Sequence, residues 1–302
     1  MAADFIALDW GTSSFRAYLM AGNGVVRDQR ASSEGILSVK DAGFELVFER
    51  HVSGWERALP VLASGMITSR QGWREVAYAP APAGLLELAA GVARFRTIGG
   101  RDIAFVPGIS VRADHGVPDV MRGEETQIVG ALTGPDGVYV TRGTHCKWVG
   151  VEAGRITRFA SFMTGEMFAV LKSHSILGRL MTSGAEDGSG FERGVKAGLA
   201  GQAGGAGLLH DLFSVRTLGL FGEMSGDQLA PYLSGLLIGS EIAGARRMFS
   251  PGQDGVTVIG ALPLAEPFRQ ALSIAGIASR PGPDDAAVRG LAKIGRQAGV
   301  IA

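Results

Sequence analysis

Residues 5–20, FIALDWGTSSFRAYLM, hold the stretch on which the reading of this chain turns. An apolar run from Phe5 to Leu8 ends in Asp9, Trp10, Gly11 and the hydroxyls Thr12, Ser13 and Ser14. A second alternating stretch follows at once. A plain hairpin needs only Asn-Gly or Asp-Gly chemistry. A turn whose backbone N–H groups and hydroxyls converge on an anion uses this richer set. Taken alone, the stretch supports both readings equally. Its outline recurs, however, at residues 138–152, VYVTRGTHCKWVGVE, where a strand runs into Arg142-Gly143-Thr144-His145-Cys146-Lys147 and turns back. Each half therefore opens with a meander whose first turn carries Gly-Thr and polar residues, and then passes to helices and strands. This is an internal duplication of architecture. It predicts two related α/β domains, 1–134 and 135–302, divided at Gly134-Pro135-Asp136-Gly137, with facing turns that form a cleft.

Composition sets the bounds. The 302 residues carry 29 basic and 29 acidic side chains, so no global field recruits nucleic acid or an anionic membrane. Glycine, 46 of 302, is in excess. The low-complexity stretch 198–207 reads as a flexible connector, and the remaining glycines read as strand-end turns. One cysteine, Cys146, excludes an internal disulfide and fits a reducing compartment. The start Met1-Ala2-Ala3-Asp4 does not read as a signal peptide, and no apolar run reaches membrane-spanning length. The expectation is a cytoplasmic protein without nucleic-acid or membrane partners, with a homo-oligomer left open.

Periodicity predicts a third strand over 25–31, a helix over 44–59, strands at 61–67 and 103–106, and irregular chain around Pro80, Pro82 and Gly84. A helix ends near Leu132. The second half adds strands at 138–141, 148–152, 155–163 and 256–262, and helices at 166–180, 228–249 and around 268–272.

Several segments carry chemistry. In the first turn Gly11 lets the backbone approach phosphate oxygens, Thr12 and Ser13 offer donors, and Asp9 is suited to Mg²⁺. The competing reading is a hairpin whose hydroxyls cap their own backbone. In the second turn Gly143, Thr144, His145 and Lys147 suit the outer phosphates of a nucleotide, although a lone histidine is more often structural. Cys146 reads as small buried filler. Gly260 and Ala261, between a strand and a helix, offer a rest for a purine or ribose, or are simply a close strand–helix turn. Glu124 and Glu125 open a helix after Arg122-Gly123; one of them is a candidate general base, or both only complement the helix dipole. Arg70 or Arg16 could clamp a substrate carboxylate bidentately.

Together these halves resemble the actin/hexokinase/Hsp70 superfamily, whose duplicated RNase H-like domains, each a mixed sheet flanked by helices, clamp ATP in an interdomain cleft. Within it, residues 9–12, 65–66, 72–73, 121–127, 143–148 and 163–166 resemble the 2-dehydro-3-deoxygalactonokinase family. So do His174-Ser175, residues 191–194 and residues 233–239. The resemblance implies ATP- and Mg²⁺-dependent phosphorylation of the terminal hydroxyl of 2-dehydro-3-deoxy-D-galactonate in galactonate breakdown. It implies Glu124 or Glu125 as base, Asp9 as the Mg²⁺ carboxylate, and Arg16, Gly35, Met66, Arg70, Gln71 and Trp73 toward the sugar acid. Two residues depart from the family pattern. Arg142 stands where proline is commoner, which adds charge near the phosphates, and Phe268 replaces a tyrosine. A related 2-keto-3-deoxy sugar acid as substrate, or an ATP-switched interaction protein, are the alternative readings. A sugar-responsive repressor would need a helix-turn-helix extension before the first strand.

Overall fold

The computed structural model describes residues 4–39, 43–112, 116–184, 188–201 and 205–302. Residues 1–3, from the start that does not read as a signal peptide, and 202–204, part of the expected connector, lie outside the described residues. The chain forms two compact units. One comprises Met1–Asp136, Val151–Phe159 and Pro283–Ala302; the other Gly137–Gly150 and Ala160–Gly282. The division 1–134/135–302 is thus corrected in two places, because segments 151–159 and 283–302 return to the first unit.

The first unit opens with β1 (Phe5–Trp10), β2 (Phe15–Met20) and β3 (Val26–Ser32), followed by α1 (Gly43–His51) and β4 (Val61–Ser64). The short strands β5 (Ala79–Pro80) and β6 (Ala83–Gly84) precede α2 (Leu85–Ala90), β7 (Ala93–Arg96), β8 (Asp102–Phe105), β9 (Ile109–Arg112), β10 (Pro118–Met121) and α3 (Glu124–Ala131). Its main sheet has the order β3-β2-β1-β4-β8-β7. The first three strands are an antiparallel meander, whereas β1, β4 and β8 run parallel.

β1 is buried on both faces, so its alternation sorts residues between two layers. Ile6, Leu8 and Trp10 join Val47 and Phe48 of α1 in one cluster. Each such fully buried side chain contributes about 1.5–3 kcal/mol of transfer free energy. Asp9 takes the other face, in register with Ser64 of β4. The C-terminal helix α10 (Ala286–Gln297) covers that face: a Cβ on Gly295 would lie 2.5 Å from a Leu62 methyl. Where α10 crosses α3 the backbones touch. A Cβ on Gly130 would sit 1.8 Å from Ala286 O, and one on Gly290 1.8 Å from Thr126 O. This crossing is why the end of the chain belongs to the first unit.

The second half of the chain starts with β11 (Gly137–Thr141), β12 (Cys146–Glu152) and β13 (Arg155–Phe162), of which residues 151–159 belong to the first unit, then α4 (Thr164–His174). The helices α5 (Ser189–Gly201), α6 (Leu208–Asp211), α7 (Ser214–Leu220) and α8 (Gly226–Ala245) follow, then β14 (Val256–Ile259), α9 (Leu262–Ile274) and β15 (Ser279–Pro281). The strand order β15-β14-β11-β12-β13 repeats β8-β4-β1-β2-β3 of the first unit, with β11, β14 and β15 parallel. The duplication read from the two turns is therefore present at the level of sheet topology.

Glycine corrects one expectation. Gly198 lies inside α5, where it packs on Leu236 O of α8, so this part of the low-complexity stretch is a helix crossing rather than a connector. The predicted helix 44–59 ends at His51, and 166–180 resolves into α4 and a separate 3-10 turn over Ile176–Leu180.

Candidate active site

In the first unit the site grows from the carboxyl ends of the parallel strands, where α/β sheets place their ligands. β1 delivers Asp9 and then the turn. Gly11 N donates to Ser14 O at 2.9 Å, which closes the turn. Thr12 and Ser13 are exposed, and their N–H groups and hydroxyls make no hydrogen bond among the described residues. The segment behind fixes the turn: Trp10 Nε1 donates to Glu34 O, Ile36 N to Gly11 O and Leu37 N to Thr12 O. A Cβ on Gly35 would collide with Thr12 O at 2.2 Å and with Ser13 N at 2.3 Å. Gly35 thus supports the turn from behind.

Two glycines bring the remote carboxylates of this unit together. Gly65, at φ 93°, follows β4; its Cβ position lies 3.3 Å from Asp9 Oδ1 and 2.8 Å from Trp10 O. Gly123, at φ 109°, precedes α3, and its Cβ position lies 3.1 Å from Gly65 Cα. Only Gly65 therefore separates Asp9 from the N-terminus of α3. Ser64 Oγ meets Thr126 Oγ1 at 3.4 Å, and Thr126 Oγ1 donates to Gly123 O at 2.6 Å.

The adjacent glutamates part company here. Glu125 is fully buried, with both carboxylate oxygens accepting from Gly123 N at 2.7–2.9 Å. Burial, reinforced by the charge of Glu124, pushes its carboxyl up to about 8. No atom of Glu125 is open to a substrate, so its candidacy as base is corrected. Glu124 is partly exposed and accepts from Arg122 N at 2.9 Å. Asp9 keeps a 17% exposed side chain and pairs with half-exposed Arg16 at 3.4 Å. Burial raises its carboxyl above the ordinary range, against the Arg16 charge.

Arg122, whose role no motif in the sequence marks, is buried and organises the neighbouring loop. Its guanidinium donates to Thr68 O at 2.7 Å, to Thr68 Oγ1 and to Val76 O at 2.9 Å, and stacks on Tyr78 at 4.1 Å. Loop 65–76, which bears Met66, Arg70 and Gln71, is thereby tied to the residue preceding Gly123. Arg70 and Gln71 are exposed, whereas Met66 is half-buried on the α1 core. Trp73 is corrected: its ring packs among Phe48, Phe95 and Phe105, with centroids 5.9–6.2 Å away.

In the second unit the turn Gly143–His145 is backed by the N-terminus of α4. Glu166 N donates to Thr144 O at 3.0 Å, and a Cβ on Gly165 would lie 2.5 Å from Gly143 O. Thr144 and His145 are exposed, and His145 Nε2 lies 2.5 Å from Glu166 Oε2. A backbone turn beside an eleven-residue helix start is suited to anions. Two cations expected there are corrected. Lys147 is buried and its ammonium donates to Ser161 Oγ. Arg142 points into the core, paired with Glu241 at 3.1 Å and stacked on Phe268 at 4.2 Å. The two departures from the family pattern thus touch each other. Glu241 is the single carboxylate in the apolar half of α8, and that isolation is the signal by which the sequence could have flagged it. Cys146 is buried filler: burial and the Glu241 charge push its thiol up to about 12.

Gly260, at φ 153°, lies against Arg142, with its Cβ position 3.0 Å from Arg142 Cβ; exposed Ala261 caps α9. A cavity of about 350 Å³ lies between the α4 start and α8, lined by Phe162, Thr164, Met167, Ser240, Glu241 and Gly244 among others. A larger one of about 430 Å³ sits by Pro60, Arg96 and Asp102, at the opposite strand ends from Asp9, and belongs to no part of this chemistry. Among the described residues no helix is long and apolar enough to cross a membrane.

A family model described as 2-keto-3-deoxy-galactonokinase matches residues 9–294. The 2-dehydro-3-deoxygalactonokinase of Escherichia coli (strain K12) is 33% identical over 278 residues, covering 91% of each chain. A crystal structure from Sinorhizobium meliloti, named for the same activity, matches with a TM-score of 0.87 at 36% identity, over 97% of this chain and 98% of that one. The activator of 2-hydroxyisocaproyl-CoA dehydratase from Clostridium difficile, solved with bound ADPNP, matches with a TM-score of 0.53 at 10% identity, over 96% and 93% of the two chains. That likeness concerns the fold alone.

Proposed function

The chain belongs to the 2-keto-3-deoxy-galactonokinase family, and from that premise we propose that it transfers the γ-phosphoryl group of ATP to the terminal (6-) hydroxyl of 2-dehydro-3-deoxy-D-galactonate, in cytoplasmic galactonate catabolism. The observation that carries the reading is the succession Asp9–Gly65–Gly123–Glu124, in which Gly65 alone lies between the strand-end carboxylate and the glycine that precedes Glu124.

Phosphoryl transfer asks a protein mainly for positioning and charge stabilisation. Glu124, the accessible glutamate of the pair, takes the proton of the attacking hydroxyl. Arg122 holds loop 65–76 beside it, so that Arg70 and Gln71 are offered to the sugar-acid carboxylate from a fixed base. The unpaired N–H groups of Thr12 and Ser13, and the turn Gly143–His145 with the α4 start behind it, each offer donors to phosphate oxygens. Gly260, Ala261 and the cavity beside α4 and α8 take the nucleoside; the cavity is large enough for a purine.

Asp9 fits Mg²⁺, which binds through one or two carboxylates plus waters and substrate phosphates rather than an all-protein cage. Its carboxylate keeps an exposed edge and its ion pair with Arg16 is long. The metal, when bound there, would neutralise charge on the transferring phosphates.

The test is ADP release by the purified protein with ATP and a panel of 2-keto-3-deoxy sugar acids. Turnover dependent on 2-dehydro-3-deoxygalactonate is the expected result. Turnover with another acid of the panel instead would overturn the substrate, and ATP hydrolysis without any acceptor would overturn the kinase.

A further inference from the structure

Behind the second phosphate turn lies a buried polar cluster that the reaction chemistry does not use. Arg142 immediately precedes Gly143, and its side chain is 6% exposed. Its Nη1 lies 3.1 and 3.3 Å from the two oxygens of Glu241 and also donates to Cys146 Sγ. The guanidinium plane rests on Phe268 of α9. Glu241, 1% exposed, accepts a second bond from Trp148 Nε1 at 3.0 Å. A charge pair this deep is costly to desolvate and is weak evidence for stability.

The placement of the pair suggests another role. Arg142 N donates to Ile259 O at 2.8 Å, and its Cβ is in contact with Gly260. Glu241 is at the same time a wall of the cavity between α4 and α8. One residue thus touches the start of the phosphate turn, the strand end that leads into Gly260-Ala261, and, through its counter-ion, the cavity wall.

We propose that Arg142 is a positioning residue for the nucleotide: its buried pair with Glu241 holds the turn Gly143–His145, the turn Gly260-Ala261 and the α8 wall in the one arrangement that accepts ATP. This rests on the proposed function for the identity of the ligand. The cluster contains no residue assigned to the sugar acid, all of which lie in the first unit. Loss of the pair therefore weakens nucleotide binding and leaves recognition of the acid alone.

A single substitution strands a buried charge, so the test uses the double variant R142M/E241Q. It removes both charges, keeps similar volume and leaves Trp148 an oxygen to donate to. R142K serves as the conservative companion, which keeps the charge but loses the planar stacking on Phe268. Binding of ATP alone is measured by calorimetry, beside steady-state KM values for ATP and for the sugar acid. The expected result is a tenfold or greater weakening of ATP binding in R142M/E241Q, a KM for the acid within twofold of wild type, and an intermediate value for R142K. Unchanged ATP binding, or equal shifts in both KM values, overturns the proposal. If the double variant does not fold, R142K decides: wild-type affinity for ATP overturns it, and a selective loss upholds it. Wild-type protein that binds ATP but phosphorylates no sugar acid would sink the proposed function while leaving the calorimetric comparison intact.

Discussion

Replacing Glu125 by Gln should change the pH dependence of stability more than activity. Glu125 is fully buried, its carboxylate accepts from Gly123 N, and its carboxyl is pushed up to about 8 against an ordinary 4.5. Below about pH 4.5 the folded and unfolded chains both hold the proton. Between there and about 8 the unfolded chain releases it while the folded chain keeps it, so stability is progressively lost as pH rises. The gap between 4.5 and about 8, at about 1.4 kcal/mol per pH unit, sets a ceiling of about 5 kcal/mol. Over the accessible window from pH 5 to pH 8.5 the same linkage gives about 4 kcal/mol. Urea unfolding of wild type and E125Q at both pH values, extrapolated to water, isolates this one group by difference, because every other titration is common to the two proteins. Wild type should lose about 3–4 kcal/mol more than the variant across the window. A difference under about 1 kcal/mol would mean that Glu125 is ionised in the folded protein and that its burial has been misread. Turnover of E125Q at pH 7 should stay within a few fold of wild type, since no atom of this side chain is exposed.

The neighbouring change gives the opposite pattern: E124Q should lower kcat by about 10²–10⁴ with ATP binding unchanged, as for loss of a general base, and a fall of less than threefold would move the proton to Asp9. R70A should raise the KM for the sugar acid at least tenfold at constant KM for ATP, about 1.4 kcal/mol of lost binding; an unchanged value removes Arg70 from the site. G130A should cost more than about 3 kcal/mol or abolish folding, the order of an overpacked core, because its Cβ would lie 1.8 Å from Ala286 O. G134A, with nothing within 4 Å, is the matched control and should unfold at the wild-type urea midpoint.

The meander that opens each sheet was legible because it is written in local chemistry. FIALDWGTSS and VYVTRGTHCKW each announce a strand, a polar turn and a returning strand. The order of the parallel strands beside them was not legible, and β15, only three residues long, carries no alternation that marks it as a strand. The direction of side chains at the second turn was not legible. In the sequence Arg142 and Lys147 look like two cations flanking a phosphate loop, yet one is drawn inward by Glu241 and the other by Ser161. Their partners lie 99 and 14 residues away and carry no pattern that marks them as partners. The return of α10 to the first unit was hidden for a related reason. Its cause is the pair Gly130 and Gly290, and a glycine chosen to let two helices touch looks, in sequence, like a glycine chosen for a turn.

The first-unit site shows where such ambiguity is resolved physically. Asp9 and Glu124 are far apart in the chain, and both sit beside residues that could have explained them away: a hairpin in one case, a helix dipole in the other. What joins them is the absence of side chains at two points. Gly65 and Gly123 both adopt positive φ, and each would place a Cβ against the backbone of a neighbour. At Gly65 the accompanying ψ of −163° lies outside the left-handed helical region that Asn and Asp visit, in a region essentially restricted to glycine, and the contact with Trp10 O at 2.8 Å adds a steric demand. The conformational and the steric demand coincide at Gly65, and both are met only by glycine. The same bend at Gly123 decides between the glutamates. It turns the helix start so that Glu125 folds back onto Gly123 N while Glu124 stays partly open. Which of the two carboxylates stays open is thus decided by the backbone angle of the glycine that precedes them.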